Sequence, residues 1–227
     1  VGVPENSMAA FRRALEHGFG AELDVHLMAD GELAVVHDSS LKRVCGADVH
    51  IEDLTAADLE RYPLIGSGET IPLFREVLEL FEGKTPLVIE LKVERGNANA
   101  LTDAVMAALE GWRGVCCVES FHPAALLRLK ERYPQVLRGQ LSQNFLKPGE
   151  ANGLSLPVRF MLTNLLTTAA TRPDFIAYSC KDRDNASLRL MRALYGVHEV
   201  GWTVRDRETM EALDREGAAS IFEGFVP

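Results

Sequence analysis

The sequence predicts an α/β fold: a (β/α)8 TIM barrel whose first strand lies upstream of Val1, with a doubly wound open sheet as the alternative. Three observations lead there. Short apolar runs alternate with longer stretches of helical period along almost the whole chain, which is the pattern of parallel strands joined by helical crossovers. No proline/glycine-rich linker, charge block or internal repeat divides residues 1–227, so a single domain is expected. At 227 residues and 47% hydrophobic, the chain can bury one sizeable core.

Each element follows from local signals. "PENSMAAFRRALEHG" offers Asn6 or Ser7 as a helix cap, sets Met8, Phe11 and Leu15 on one face, and stops at Gly18. "AELDV" and "LAVVH" read as strands, followed by a polar, turn-rich stretch with a short helix near "TAADLERY". "IPLFREVLELFEG" is a helix with a proline in its first turn and its end at Gly83. Then "PLVIELK" is strand, "NALTDAVMAALEG" helix, "GVCCVESF" strand and "PAALLRLKERY" helix. "VLRGQL" precedes a less regular region from Ser142 to Arg172, after which "DFIAY", "NASLRLMRALYG", "HEVGWTV", "RETMEALDREG" and "AASIFEG" continue the alternation. That makes seven or eight strands, beginning in a loop that leads into a helix.

Bulk properties exclude several functions. The net charge of −9, with no lysine/arginine run, argues against a nucleic-acid partner. Cys45, Cys116, Cys117 and Cys180 lack metal-ligand spacing and read as reduced packing residues. A reducing, cytoplasmic setting is therefore expected. No segment approaches the roughly 18 apolar residues of a membrane span, and no signal peptide is visible. The sequence does not reveal an oligomeric state.

The polar residues on the strands form a pattern. Residues two apart on a strand share a face, so Glu22 and Asp24 point the same way, as do Glu90 and Lys92. His37 ends "LAVVH", Glu119 ends "CCVE", Gln140 ends "LRGQ", Trp202 lies in "VGWTV" and Glu223 ends "SIFE". Barrel strands carry catalytic groups at their C-terminal ends, so these residues predict a polar ring at one mouth. There Glu119, Gln140, Trp202 and Glu223 would bind substrate. Glu22, Asp24 and Glu90 would repel one another unless a cation neutralised them, and oxygen-only ligands suit Mg2+ or Ca2+ better than zinc. Lys92 could then help hold a phosphate, and His37 is the natural proton carrier, histidine being the side chain whose unperturbed pKa, about 6.5, lies near working pH. Metal-assisted attack on a phosphate ester follows. Taken singly, each signal has an ordinary reading: E-x-D as a solvent-facing pair, Lys92 as a snorkelling surface lysine, His37 as a turn residue and Trp202 as core. Spacing alone leaves both readings open.

The string "PENSMAAFRRALEHGFGAELDVHLMADGELAVVHDSSLKRVCG" resembles the signature of the glycerophosphodiester phosphodiesterase family, and the likeness continues through "IPLFREVLELFEG", "PLVIELK", "ESFHP", "GWTV" and "IFEGFVP". The resemblance implies a (β/α)8 barrel that hydrolyses glycerophosphodiesters to glycerol 3-phosphate and an alcohol. Glu22, Asp24 and Glu90 match the family's Mg2+ or Ca2+ ligands, and His37 matches one of its two acid/base histidines. Lys92 matches the lysine that faces the substrate phosphate, and Trp202 falls where a ring packs on glycerol. In related phosphodiesterases a neighbouring hydroxyl of the substrate attacks phosphorus to give a cyclic intermediate.

Departures from the pattern matter as well. The family's H-R-G, with the other histidine and an arginine, belongs just before "VGVPENS"; the expectation is that it lies upstream together with the first strand. "HLMADG" lacks the usual threonine, "SFHP" places His122 where an acid or amide is common, and "IFEGFVP" replaces I-T-D-x-P. None of these changes removes a matched metal ligand. The competing readings are a lysophospholipid or phosphoinositide phosphodiesterase with the same site, and a barrel that binds phosphodiesters without turnover.

Overall fold

A computed structural model describes residues 2–150 and 153–227; Ala151 and Asn152, within the expected irregular region, lie outside the described residues, as does Val1. The chain packs as two compact units, Gly2–Val136 and Leu137–Pro227.

In the first unit, helix α1 (Met8–Glu16) starts at Ser7, whose side chain accepts a hydrogen bond from the Ala10 amide. Strand β1 (Ala21–Leu27) follows. Gly20 is required where the chain enters it, since a Cβ there would sit 2.7 Å from the Pro86 carbonyl oxygen. Strand β2 (Leu33–Val35) pairs antiparallel with β1, a reversal of the parallel reading and a shorter strand than "LAVVH" suggested. Only Met28–Glu32 separate the two, enough for a hairpin and too few for a crossover.

Helix α2 (Lys42–Cys45) is a single turn, and "TAADLERY" forms a 3-10 helix over Ala56–Arg61 closed by reciprocal Thr55 and Asp58 bonds. Helix α3 (Phe74–Phe81) begins after Pro72 rather than on it. The Pro72 carbonyl is already engaged by the Val35 amide, which keeps residue 72 extended, and Glu76 reaches back to cap the Leu73 amide at 2.7 Å.

Strand β3 (Leu87–Leu91), helix α4 (Ala98–Ala108), strand β4 (Cys116–Ser120) and helix α5 (Pro123–Arg132) complete the unit. β1, β3 and β4 run parallel, with Asp24 opposite Glu90 and Glu90 opposite Glu119. Strand alternation then divides the sheet. Leu23, Val25, Leu87, Ile89 and Val118 pack with Phe11, Phe81, Leu101, Val105 and Leu126 in the core, which leaves the intervening carboxylates on the opposite face.

The second unit runs β5 (Arg138–Ser142), α6 (Leu156–Thr163), α7 (Thr168–Thr171), β6 (Phe175–Ser179), α8 (Ala186–Tyr195), β7 (His198–Val204), α9 (Arg207–Arg215) and β8 (Ala219–Phe222). Its strands are parallel in the order β5-β6-β7-β8. Asn185 caps α8 through the Ser187 and Leu188 amides, and Gly196 ends it in the left-handed region. Glu199 on β7 is buried and paired with Arg183 at 2.5 Å and Arg192 at 2.7 Å, which offsets the cost of withdrawing its charge from water. No helix among the described residues is long and apolar enough to cross a membrane.

Candidate active site

The acidic cluster follows directly from strand register. Glu22 and Asp24 lie on one face of β1, and parallel pairing brings Glu90 alongside Asp24. One carboxylate oxygen from each of Glu22, Asp24 and Glu90 lies within 4.8 Å of the other two. Asp24 and Glu90 are buried, so water screens their repulsion poorly. Lys92, whose amide extends the ladder by bonding the Val25 carbonyl at 3.0 Å, places its ammonium 3.0 Å from Glu90 and 3.3 Å from Asp24.

One ammonium does not balance this charge. Burial first, then repulsion from Asp24, Glu90 and Glu119, raises the pKa of Glu22 well above the ordinary carboxylate range. Burial likewise pushes Glu90 up to about 8, against the attraction of Lys92. Burial disfavours the Lys92 charge, yet Glu90 and Asp24 outweigh it and raise its pKa. Glu119 adds a further buried carboxyl beside Glu90. Its pKa is raised by burial and by Glu90 and Asp24, and its Oε2 has no hydrogen-bond partner among the described residues. The donor set is oxygen only, crowded and short of positive charge, which fits a hard divalent cation.

Of the two helix caps the sequence offers, Asn6 and Ser7, the second takes that role. Asn6 turns to the acidic cluster, donating from Nδ2 to Asp24 Oδ2 at 2.8 Å and accepting the Asp24 amide at 3.3 Å through Oδ1. Its φ of 49° lies in the left-handed region, which asparagine tolerates better than most residues. This two-point grip fixes the rotamer of a proposed metal ligand.

His37 lies just beyond β2, and the hairpin ties the two segments together through the Val36 amide, 3.0 Å from the Asp24 carbonyl. Its imidazole is exposed, with Nδ1 2.6 Å from Asp38 Oδ1. Arg43 Nε donates to Asp38 Oδ2 at 2.6 Å, and the same guanidinium pairs with Glu5. Beneath the hairpin, buried His26 has Nδ1 2.6 Å from Glu52, which also accepts from Ser39 at 2.6 Å. His122 caps α5 by accepting the Ala124 amide.

The other polar-ring residues divide between the units. Glu119 joins the acidic cluster. In the second unit, buried Gln140 accepts a bond from Thr167 at 3.2 Å, Trp202 is half-buried on β7, and exposed Glu223 pairs with Arg205.

Sequence reasoning missed Asn6 as the partner of Asp24 and the chain from Glu5 through Arg43 and Asp38 to His37. The short strings "PENS" and "VVHD" contain most of these residues, but 38 positions separate Glu5 from Arg43 and no periodicity connects them.

Known proteins share this arrangement of elements. A glycerophosphodiester phosphodiesterase of Caldanaerobacter subterraneus subsp. tengcongensis is 33% identical over 229 residues, covering 96% of this chain and 88% of that protein. A lysophospholipase D of Homo sapiens is 38% identical over 114 residues, 44% of this chain and 35% of that protein. The fold matches that of an Oleispira antarctica phosphodiesterase in complex with the product sn-glycerol-3-phosphate, with a TM-score of 0.80, 22% identity and coverage of 97% of this chain and 87% of that one. The glycerophosphoryl diester phosphodiesterase family pattern spans residues 2–226, and the chain belongs to that family.

Proposed function

We propose that this phosphodiesterase, built on a (β/α)8 barrel, hydrolyses glycerophosphodiesters such as glycerophosphocholine to sn-glycerol 3-phosphate and the free alcohol, with Mg2+ or Ca2+ held by Glu22, Asp24 and Glu90. The observation that carries the reading is the convergence of three strand-borne carboxylates within 4.8 Å, beside a single lysine. The relative named for the same activity over 96% of the chain supports it.

A bound divalent cation supplies charge stabilisation for the phosphoryl oxygens. The chain's own residues do the rest. Asn6 keeps Asp24 in its ligating rotamer. Lys92 pairs with Asp24 and Glu90 and is positioned to turn its ammonium toward a phosphate once a cation takes over those charges. His37 carries one of the proton transfers as a neighbouring glycerol hydroxyl attacks phosphorus and the alcohol leaves with a proton; water then opens the cyclic phosphate. Glu119, beside the acidic cluster, would offer an acceptor for a glycerol hydroxyl; for Trp202 the family resemblance alone supports a substrate-binding role, and for Gln140 and Glu223 the sequence pattern alone does.

Glycerol 3-phosphate release from glycerophosphocholine and glycerophosphoethanolamine, followed with Mg2+, Ca2+ or chelator, tests this reading. Metal-dependent release is expected. Folded protein that releases no product with either metal would refute it.

A second reading, hydrolysis of lysophospholipids, is favoured by the exposed Leu154, Leu156, Phe160, Met161 and Leu166 in the β5–β6 connection. So many large apolar groups in one short segment suit contact with an acyl chain. The partial likeness to a lysophospholipase D points the same way. Choline release from lysophosphatidylcholine exceeding that from glycerophosphocholine would select it.

A further inference from the structure

We infer that Asp38 is a positioning residue for His37, held in place by Arg43 and Glu5, and that it fixes the imidazole in the form with its proton on Nδ1 and Nε2 free for the reacting oxygen. The inference rests on the reading of His37 as a proton carrier.

The geometry is a linear relay of charge-assisted contacts. His37 Nδ1 meets Asp38 Oδ1 at 2.6 Å, and the second Asp38 oxygen accepts from Arg43 Nε at 2.6 Å. The far side of the guanidinium is taken by Glu5, so Arg43 is anchored from both ends. An exposed imidazole left to itself samples both tautomers and many orientations, and each wrong one subtracts from the reactive population. An ionised carboxylate at Nδ1 selects one tautomer and steadies the imidazolium that forms when Nε2 takes a proton.

Asp38 is suited to that task. Hydrogen bonding to Arg43 first, and then to His37, lowers its pKa to about 2, so it stays an acceptor at every pH where the enzyme would work. Among the described residues, the His37 imidazole meets Asp38, with Arg43 behind it, and His26 Nε2 lies 3.4 Å from the His37 carbonyl. Glu5 and Asn6 are neighbours in sequence, so one short segment before α1 secures both the histidine relay and a carboxylate of the acidic cluster.

The test compares Asp38→Asn, Arg43→Gln, Arg43→Lys and His37→Ala with the unaltered protein, using turnover, metal affinity by calorimetry and the His37 tautomer by 15N NMR. Asp38→Asn is expected to lower kcat roughly ten- to a hundredfold, less than for a buried triad because this pair is exposed, with KM and metal affinity within about threefold. The Nδ1 proton population of His37 should fall with it. Arg43→Gln should give a smaller drop in kcat that Arg43→Lys partly restores. A His37 that stays protonated on Nδ1 in Asp38→Asn, or a loss of activity that tracks a loss of metal affinity, would overturn the inference. Unchanged turnover in His37→Ala would remove the proton-carrier reading, and the inference with it, whereas a dead His37→Ala beside a fully active Asp38→Asn defeats the inference alone.

Discussion

Once ionised, Glu22 and Glu90 each add a charge to a crowded group whose paired cation among the described residues is the Lys92 ammonium. Replacing either by glutamine keeps the shape of the side chain while removing that charge. The two consequences separate cleanly. The metal-free protein should gain or keep thermal stability, because a repulsion is relieved at a buried site. Affinity for Mg2+ or Ca2+ should fall at least tenfold, and activity should fall with it, as expected for the loss of a ligand charge. Titration calorimetry beside a turnover assay checks both. Normal turnover without added metal in Glu22→Gln or Glu90→Gln would show that these carboxylates serve something other than a cation.

At the level of elements, the "PENS" segment joins tasks that sequence reading had merged into one cap. Ser7 is fully buried and caps α1, so Ser7→Ala should lower stability by about 1 kcal/mol while leaving metal affinity alone. Asn6→Ala should do the opposite. Loss of its two bonds to Asp24 should weaken metal binding roughly tenfold or more, in keeping with the usual effect of losing an outer partner of a ligand, with little change in melting. If both variants moved stability and affinity together, Asn6 would be a structural residue only. The same segment shows what sequence could and could not disclose. Strand alternation and parallel register are short-range rules, so "ELDV" and "VIELK" were enough to place Glu22, Asp24, Glu90 and Lys92 on shared faces, and Glu119 followed from "CCVE". The direction of β2 was misread because it depends on the length of the connection rather than on the apolar pattern of "LAVVH". Pro72 fell outside α3 because a backbone contact with Val35, distant in sequence, holds it extended. Asp38 and Arg43 found their roles through side chains meeting across loops, where no periodicity operates.

For the whole molecule, the acidic cluster ties folding to pH and to metal. Burial is the first cause that raises Glu22, Glu90 and Glu119, with mutual repulsion added. For Glu90 the rise is from the ordinary 4.5 to about 8, so at neutral pH the folded chain holds a proton that the unfolded chain has released. The sign follows from linkage. A carboxyl whose folded pKa is raised contributes stability that is complete below its unfolded value and is lost as pH climbs through the folded value. Metal-free protein should therefore melt at progressively lower temperature from about pH 4.5 to about pH 8, between the unfolded and folded pKa values of Glu90, and level off above that. A divalent cation replaces those protons as the compensating charge, and because it binds the folded chain it should raise the melting temperature most at the alkaline end. Glu119→Gln, which removes one raised carboxyl without emptying its space, should flatten the metal-free slope. Melting curves with chelator and with millimolar Mg2+ or Ca2+ across this pH range decide the matter. A melting temperature indifferent to pH in chelator and unmoved by either cation would mean that the carboxyls are neutralised within the chain itself, leaving no charge for a metal to balance.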